Sequence, residues 1–283
     1  MNSILAILRL TRVGNCIMAA IAVLIGVHLG GAMVLSAAGL FAALGTFLVC
    51  AAGNTHNDIL DIDIDRISHP NRVLVQGVVS TRLAITVVII CDLAAVALAS
   101  LVNAAVLFMA LGAILLLLIY NSLLKRMPGA GNLIIAALAG LTILAGGVVA
   151  TTLDEIAWFR LLAGALFAFL VHLVREIVKD ILDIPGDKAA GVRTLPQLIG
   201  TPAALAICLG LGILLVAATV VPVLANWFNW YFAVIVLVLI DLPLLGMLNL
   251  VWFRPNEARL RLTVAVLKTA MAVGMAALVV GTL

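Results

Sequence analysis

Residues 37–72 read AAGLFAALGTFLVCAAGNTHNDILDIDIDRISHPNR, an apolar run long enough to cross a bilayer, followed at once by four aspartates within eight positions. Asp58, Asp61, Asp63 and Asp65 are four of only 13 acidic residues in a chain that is 10% charged. At 3.6 residues per turn, Asp58, Asp61 and Asp65 stand at i, i+3 and i+7 and share about 60° of one helix face, while Asp63 points elsewhere.

The surrounding chain says what that face belongs to. Of 283 residues, 65% are hydrophobic, well above the half expected of a soluble globule, so the chain reads as an all-α integral membrane protein. Alternation of apolar and polar residues is missing, which excludes a transmembrane β-barrel. Cys16, Cys50, Cys91 and Cys208 stand singly inside apolar runs, with no spacing for a disulfide framework or a metal site, and read as small packing residues. Arg9 and Arg12 follow a short apolar start without a small-residue cleavage site, so no cleaved signal is expected.

Apolar runs of spanning length number nine, at roughly 13–35, 37–56, 83–101, 104–120, 132–151, 157–178, 202–224, 228–252 and 261–282. Only Val102 and Asn103 separate the third run from the fourth, which predicts a tight hairpin. Arg66, Arg72, Arg82, Lys125, Arg126, Lys179, Lys188, Arg193, Arg254 and Arg259 all fall in alternate connections, and Arg160 is the exception. By the positive-inside rule the N-terminus and the long loops are cytoplasmic, and the C-terminus is on the opposite side. The expectation is one polytopic domain over 1–283 in a cell (inner) membrane, with its polar site facing the cytoplasm and no nucleic acid as partner.

The acidic pattern occurs twice. Residues 179–187 read KDILDIPGD, so Asp180, Asp183 and Asp187 repeat the i, i+3, i+7 spacing at the same end of a later span. Basic residues trail each copy, and Pro185 with Gly186 is expected to end the second helix. One such triad alone reads equally well as a solvated helix end; two in matched positions argue for a site. Six converging carboxylates need cations to stay ionised, and Mg²⁺ prefers such oxygen donors, keeping waters and bridging to substrate phosphates.

At these residues the chain resembles the UbiA superfamily of intramembrane prenyltransferases. Asn57, Asp58, Asp61 and Asp65 match its first motif, and Asp180, Asp183 and Asp187 its second. Asn15 in the first span, and Tyr120 with Lys125 ahead of Gly131 and Asn132, also agree. The string Arg175 to Asp180, with the first motif, is most similar to the geranylgeranylglycerol-phosphate geranylgeranyltransferases of ether-lipid synthesis. The chain departs from the pattern where prolines are usual, at Val13 after Arg12 and at Val73 and Val75 after Arg72.

The resemblance implies a nine-helix bundle and Mg-dependent transfer of a polyprenyl group from geranylgeranyl diphosphate to a lipid-soluble acceptor, through an allylic carbocation. The six aspartates would hold the metal through its waters. Asn15, Asn57, Arg72, Tyr120, Lys125, Lys179, Lys188 and Arg193 would contact substrates, with Lys125, Lys188 and Arg193 gripping the diphosphate or an acceptor phosphate. Prenylation of an aromatic quinone precursor such as 4-hydroxybenzoate is the alternative.

Outside the motifs, Asp241 and Lys268 reach similar depth in adjacent spans and are expected to form a structural ion pair. Asp92, near the midplane, receives no catalytic role, and His56 is the one histidine beside a motif. Gly26, Gly45, Gly140, Gly146 and Gly147 either leave room for an isoprenoid tail or pack helices closely. A cation-coupled transporter is the rival class, but it would place its acids at the midplane on broken helices. A phosphatidyl-alcohol phosphotransferase is disfavoured by the missing DGxxAR opening of that family's motif.

Overall fold

The computed structural model describes residues 3–189 and 191–283, and the described residues contain helices and no strand. In chain order the helices are α1 (Ser3–Leu10), α2 (Val13–Leu29), α3 (Ala37–Leu60), α4 (Ile62–Ser68), α5 (Thr81–Ser100), α6 (Ala104–Ser122) and α7 (Ala130–Gly147). There follow α8 (Glu155–Ala189), α9 (Leu195–Ile199), α10 (Thr201–Leu224), α11 (Trp230–Val236), α12 (Leu242–Phe253) and α13 (Glu257–Val280). A π-turn, Leu237–Asp241, joins α11 to α12.

Eight helical segments are long and apolar enough to cross a membrane, with Trp230–Phe253 counted as one, and α1 with α2 makes a ninth, bent by 61°. The expected nine spans are present, and the first differs from expectation. It stops at Leu29 instead of 35 because Gly31 turns left-handed at φ 75°. Side-chain caps start the later helices: Ser36 Oγ accepts from Gly39 N (3.1 Å), Ser80 Oγ from Leu83 N (3.2 Å) and Asn256 Oδ1 from Arg259 N (2.8 Å). Asn103 caps α6 in the same way and closes the predicted hairpin, its amide also donating to the Val148 carbonyl at 2.8 Å.

The central post is α8. Its 35 residues extend about 52 Å, more than the ~30 Å hydrocarbon core, so its last turns project beyond the lipid. Leu161, Phe167, Leu170, Val174, Ile177 and Ile181 bury its apolar face against α2, α7, α10 and α13. The expected stop at Pro185 and Gly186 does not occur. Proline removes one donor from the ladder, and the helix continues to Ala189. The stop comes at Gly191, φ 70°, where Gly191 N donates to Lys188 O (3.2 Å) and Val192 N to Asp187 O (2.9 Å), the paired bonds of a left-handed glycine cap.

Asp241 and Lys268 do not pair. Asp241 is 1% exposed, and neither carboxyl oxygen has a hydrogen-bond partner among the described residues. Thr219 lies beside it but donates its hydroxyl to the Leu215 carbonyl at 3.0 Å. The depths match and the helical phases do not: Thr263, Leu267, Ala270 and Gly274 form the buried stripe of α13, and Lys268 stands off it, facing the central cavity.

Four of the five singled-out glycines seat helices. A Cβ on Gly26 would lie 2.0 Å from the Ile143 carbonyl oxygen, and one on Gly146 would lie 1.9 Å from that of Val23, so α2 and α7 cross backbone to backbone. Gly140 meets Ala165 and Gly147 meets Leu161 in the same fashion, while Gly45 lines the cavity. Gly146→Ala is expected to cost about 1–3 kcal/mol, as overpacking does. Gly112→Ala, with nothing within 4 Å of its Cβ, should leave the thermal unfolding midpoint in detergent unchanged. Equal midpoints for the two variants would show that the crossing yields.

Candidate active site

A cavity of about 1040 Å³ runs into the bundle between α2, α3, α6, α7, α8 and α13. Its inner part is apolar, lined by residues such as Phe41, Leu138, Ile143, Phe167 and Met275, and its mouth carries the charge. Long apolar depth under a polar rim suits a ligand with one charged end and one greasy end.

The first motif straddles a joint. Asp58 ends α3, Asp61 sits at the break, and Asp65 lies in α4, yet the backbone ladder continues, with Asp61 N bonded to Asn57 O (3.0 Å) and Asp65 N to Asp61 O (2.8 Å). Three cations from three other segments meet it. Arg12 Nη2 donates to Asp58 Oδ1 at 2.6 Å, Arg72 reaches the same oxygen at 3.0 Å and also pairs with Asp65, and Lys125 pairs with Asp61. Asn57 completes the group, its Nδ2 donating to Asp61 Oδ2 and its Oδ1 accepting from Lys125 Nζ, each at 2.9 Å. Burial pushes the Asp65 carboxyl above its ordinary range, and the Arg72 guanidinium pulls against that.

The second motif is held more lightly. Asn132 Nδ2 donates to Asp180 Oδ2 at 2.8 Å, and among the described residues no lysine or arginine pairs with Asp180, Asp183 or Asp187. Asp61, Asp65, Asp183 and Asp187 line the cavity, whereas Asp58 is turned into Arg12 and Arg72, and Asp180 toward α7. The four aspartates of the two motifs that line the cavity offer carboxylate oxygens, the donors a hard divalent cation prefers. No three acidic, His or Cys side chains converge into a closed metal cage among the described residues. Such a set fits an ion that takes the rest of its oxygens from water or a phosphorylated ligand.

Of the other anticipated residues, Asn15, Asn57, Arg72, Tyr120, Lys125 and Lys179 line the cavity, and Lys188 and Arg193 do not. Those two follow the last aspartate, where the helix has already passed the rim. Asp63 is exposed and pairs with Arg66. His56 contacts the Asn121 amide at 3.3 Å and shares a small separate pocket with Asp92, so neither reaches the main cavity. The sequence reading gives no place in the site to Arg12, Asn132, His172, Arg175, Arg261 or Lys268, the last expected to pair with Asp241, and the fold places all six at or beside the cavity. Arg12, with Arg9 one of two cations between apolar runs, is the break between α1 and α2, at φ 52°.

The arrangement has counterparts. The family model described as the UbiA prenyltransferase family matches residues 18–277. Digeranylgeranylglyceryl phosphate synthase of Thermococcus kodakarensis is 39% identical over 225 residues, 78% of each chain. The enzyme of that name from Haloquadratum walsbyi is 33% identical over 273 residues, 96% of this chain and 92% of that one. A solved structure presented as structural and mechanistic insights into digeranylgeranylglyceryl phosphate synthase in membranes covers 99% of both chains at 30% identity, with a TM-score of 0.80. A UbiA homolog from Archaeoglobus fulgidus bound to GPP and Mg²⁺ shares the fold at 21% identity, with a TM-score of 0.73 over 96% of this chain and 99% of that one. The family match spans most of the chain and the relatives cover 78 and 96% of it at 39 and 33% identity, so the chain belongs to the UbiA prenyltransferase family.

Proposed function

We propose that this membrane prenyltransferase moves a geranylgeranyl group from its diphosphate to the hydroxyl of geranylgeranylglycerol phosphate, the second alkylation of an ether lipid. The observation that carries the reading is the single cavity with carboxylates and cations at its mouth and about 1040 Å³ of largely apolar depth. The relatives at 39 and 33% identity, both digeranylgeranylglyceryl phosphate synthases, support the same acceptor.

In this reading Asp61, Asp65, Asp183 and Asp187 hold Mg²⁺, with Asp58 and Asp180 orienting the helix ends through Arg12, Arg72 and Asn132. Bound magnesium supplies neutralisation of the charge that gathers on the departing diphosphate. Lys125 and Arg72, already at the rim, orient the diphosphate by charge-assisted hydrogen bonds. The apolar walls of Phe41, Ile143 and Phe167 hold the chain extended and keep water from the allylic cation. The donor's C–O bond breaks, the acceptor oxygen bonds to C1, its proton passes to the departing diphosphate, and the protonated diphosphate leaves by the mouth. The positive charge of alternate loops supports a cytoplasmic mouth in a cell membrane, with the whole chain acting as one domain.

Purified enzyme with labelled geranylgeranyl diphosphate, Mg²⁺ and a panel of acceptors tests the reading. Product from geranylgeranylglycerol phosphate is expected; product from 4-hydroxybenzoate alone would overturn it. Asp61→Ala and Asp183→Ala should each lower kcat by about 100-fold or more, the scale of lost transition-state electrostatics. Asp63→Asn, removing one partner of an exposed pair, should stay within about twofold of wild type. Arg12→Gly separates position from strain. It should lose activity with the Asp58 contact yet melt no earlier than Arg12→Ala, because glycine accepts φ 52° freely. An Arg12→Gly enzyme with wild-type turnover would remove Arg12 from the site.

A further inference from the structure

We propose that Lys268, with Arg175, Lys179 and Arg261, forms a phosphate-monoester subsite on the α8–α13 wall of the cavity, binding the headgroup of the acceptor apart from the diphosphate. The inference rests on the ether-lipid reading for the identity of its ligand. The cations that the sequence offers for this task are placed elsewhere: Lys188 and Arg193 do not line the cavity, and Lys125, at the rim beside Asp61 and Asn57, is assigned to the diphosphate. Four other cations line the cavity from the opposite wall.

Their depths agree. Gly274 meets the Phe167 ring, so α13 and α8 share that level, and they run antiparallel. Toward the mouth from there, Lys268 is six residues along α13 and Arg175 eight along α8, about 9 and 12 Å. Arg261 and Lys179 follow at about 20 and 18 Å. Two rungs of paired cations therefore face the same space, and Cα–Cβ bonds on α13 lean toward its N-terminus, which is the mouth.

Their charges are not balanced. Arg175 and Lys179 share Glu176, at 2.6 and 3.6 Å, and Arg261 pairs with Glu257 at 2.7 Å. Lys268 has no hydrogen bond or ion pair among the described residues, and the buried Nε of Arg175 has no partner. The nearest acid of α8 toward the mouth, Glu176, lies about 4–5 Å beyond the level of Lys268 and is already shared by Arg175 and Lys179. Asp180, Asp183 and Asp187 lie roughly 10, 15 and 21 Å beyond that level. An unpaired ammonium within a membrane span is costly and is kept where it has an anion to meet. A phosphate monoester carries up to two negative charges, matching a point charge from Lys268 and the fork of Arg175. Just below Lys268, Met271 and Met275 give an adaptable apolar slot for a chain attached to that phosphate.

The test measures KM for donor and phosphorylated acceptor separately in wild type, Lys268→Met and Lys268→Arg, with decyl phosphate as a probe of the subsite. Lys268→Met should raise acceptor KM by about tenfold, leave donor KM within about twofold, and be largely restored by arginine. Decyl phosphate should compete with acceptor in wild type and bind Lys268→Met more weakly by calorimetry. Unchanged acceptor KM, or a rise in donor KM instead, would overturn the subsite. Wild type that makes no product from any phosphorylated acceptor would sink the ether-lipid reading, while decyl phosphate binding to the two proteins still decides whether the subsite exists. Should Lys268→Met fail to fold, Arg261→Gln, near the exposed end of α13, carries the same comparison.

Discussion

Carboxylates at the end of an apolar bundle must be met by positive charge, and the polar half of this molecule is arranged around that requirement. The first motif is met by protein. Arg12 comes from the break between α1 and α2, Arg72 from the loop after α4, and Lys125 from the turn after α6, so one cluster of charge ties three otherwise separate connections to the end of α3. Removing Lys125 leaves Asp61 without a cation and removing Arg72 leaves the buried Asp65 without one, which costs more than the pair itself contributes, whereas Asp58 has two cationic partners and keeps one when Arg12 is lost.

The second motif is not met in the same way. One neutral amide, Asn132, serves Asp180, and Asp183 and Asp187 face the cavity without a cationic partner among the described residues. Negative potential is therefore concentrated on the α8 side of the mouth, opposite a first motif already largely neutralised. An incoming divalent cation gains most on that side, and an incoming diphosphate gains most from Arg72 and Lys125 on the other. The two repeats have matched spacing and complementary electrostatic roles.

Much of the fold could be read directly from residue pattern. Nine apolar runs, the hairpin at Asn103 and the pair of i, i+3, i+7 triads all survive, because length and period are properties of the chain itself. What sequence did not reveal is helical phase relative to neighbours. Asp58 and Asp180 share their spacing with the other aspartates, yet packing turns them to Arg12, Arg72 and Asn132 while the rest line the cavity. Pro185 ends no helix, since one missing donor does not outweigh a face packed through Ile177, Val178 and Ile181. Lys188 and Arg193 follow the motif in sequence and miss the cavity in space.

Phase also separates Asp241, Asp92 and Lys268, three ionisable residues that lie within the spans. Asp241 lies beside Thr219 in the π-helical turn of the α11–α12 span, buried and away from the residues that line the cavity. Asp92 shares with His56 the lining of a pocket too small for substrate. Lys268 alone of the three opens onto the main cavity, and only because it stands one position off the buried stripe of α13. Equal cost in lipid does not imply equal function. A charge at membrane depth acts on a ligand only when its helix turns it toward the space the ligand occupies, and α13 does this for Lys268 at the level where α8 presents Arg175.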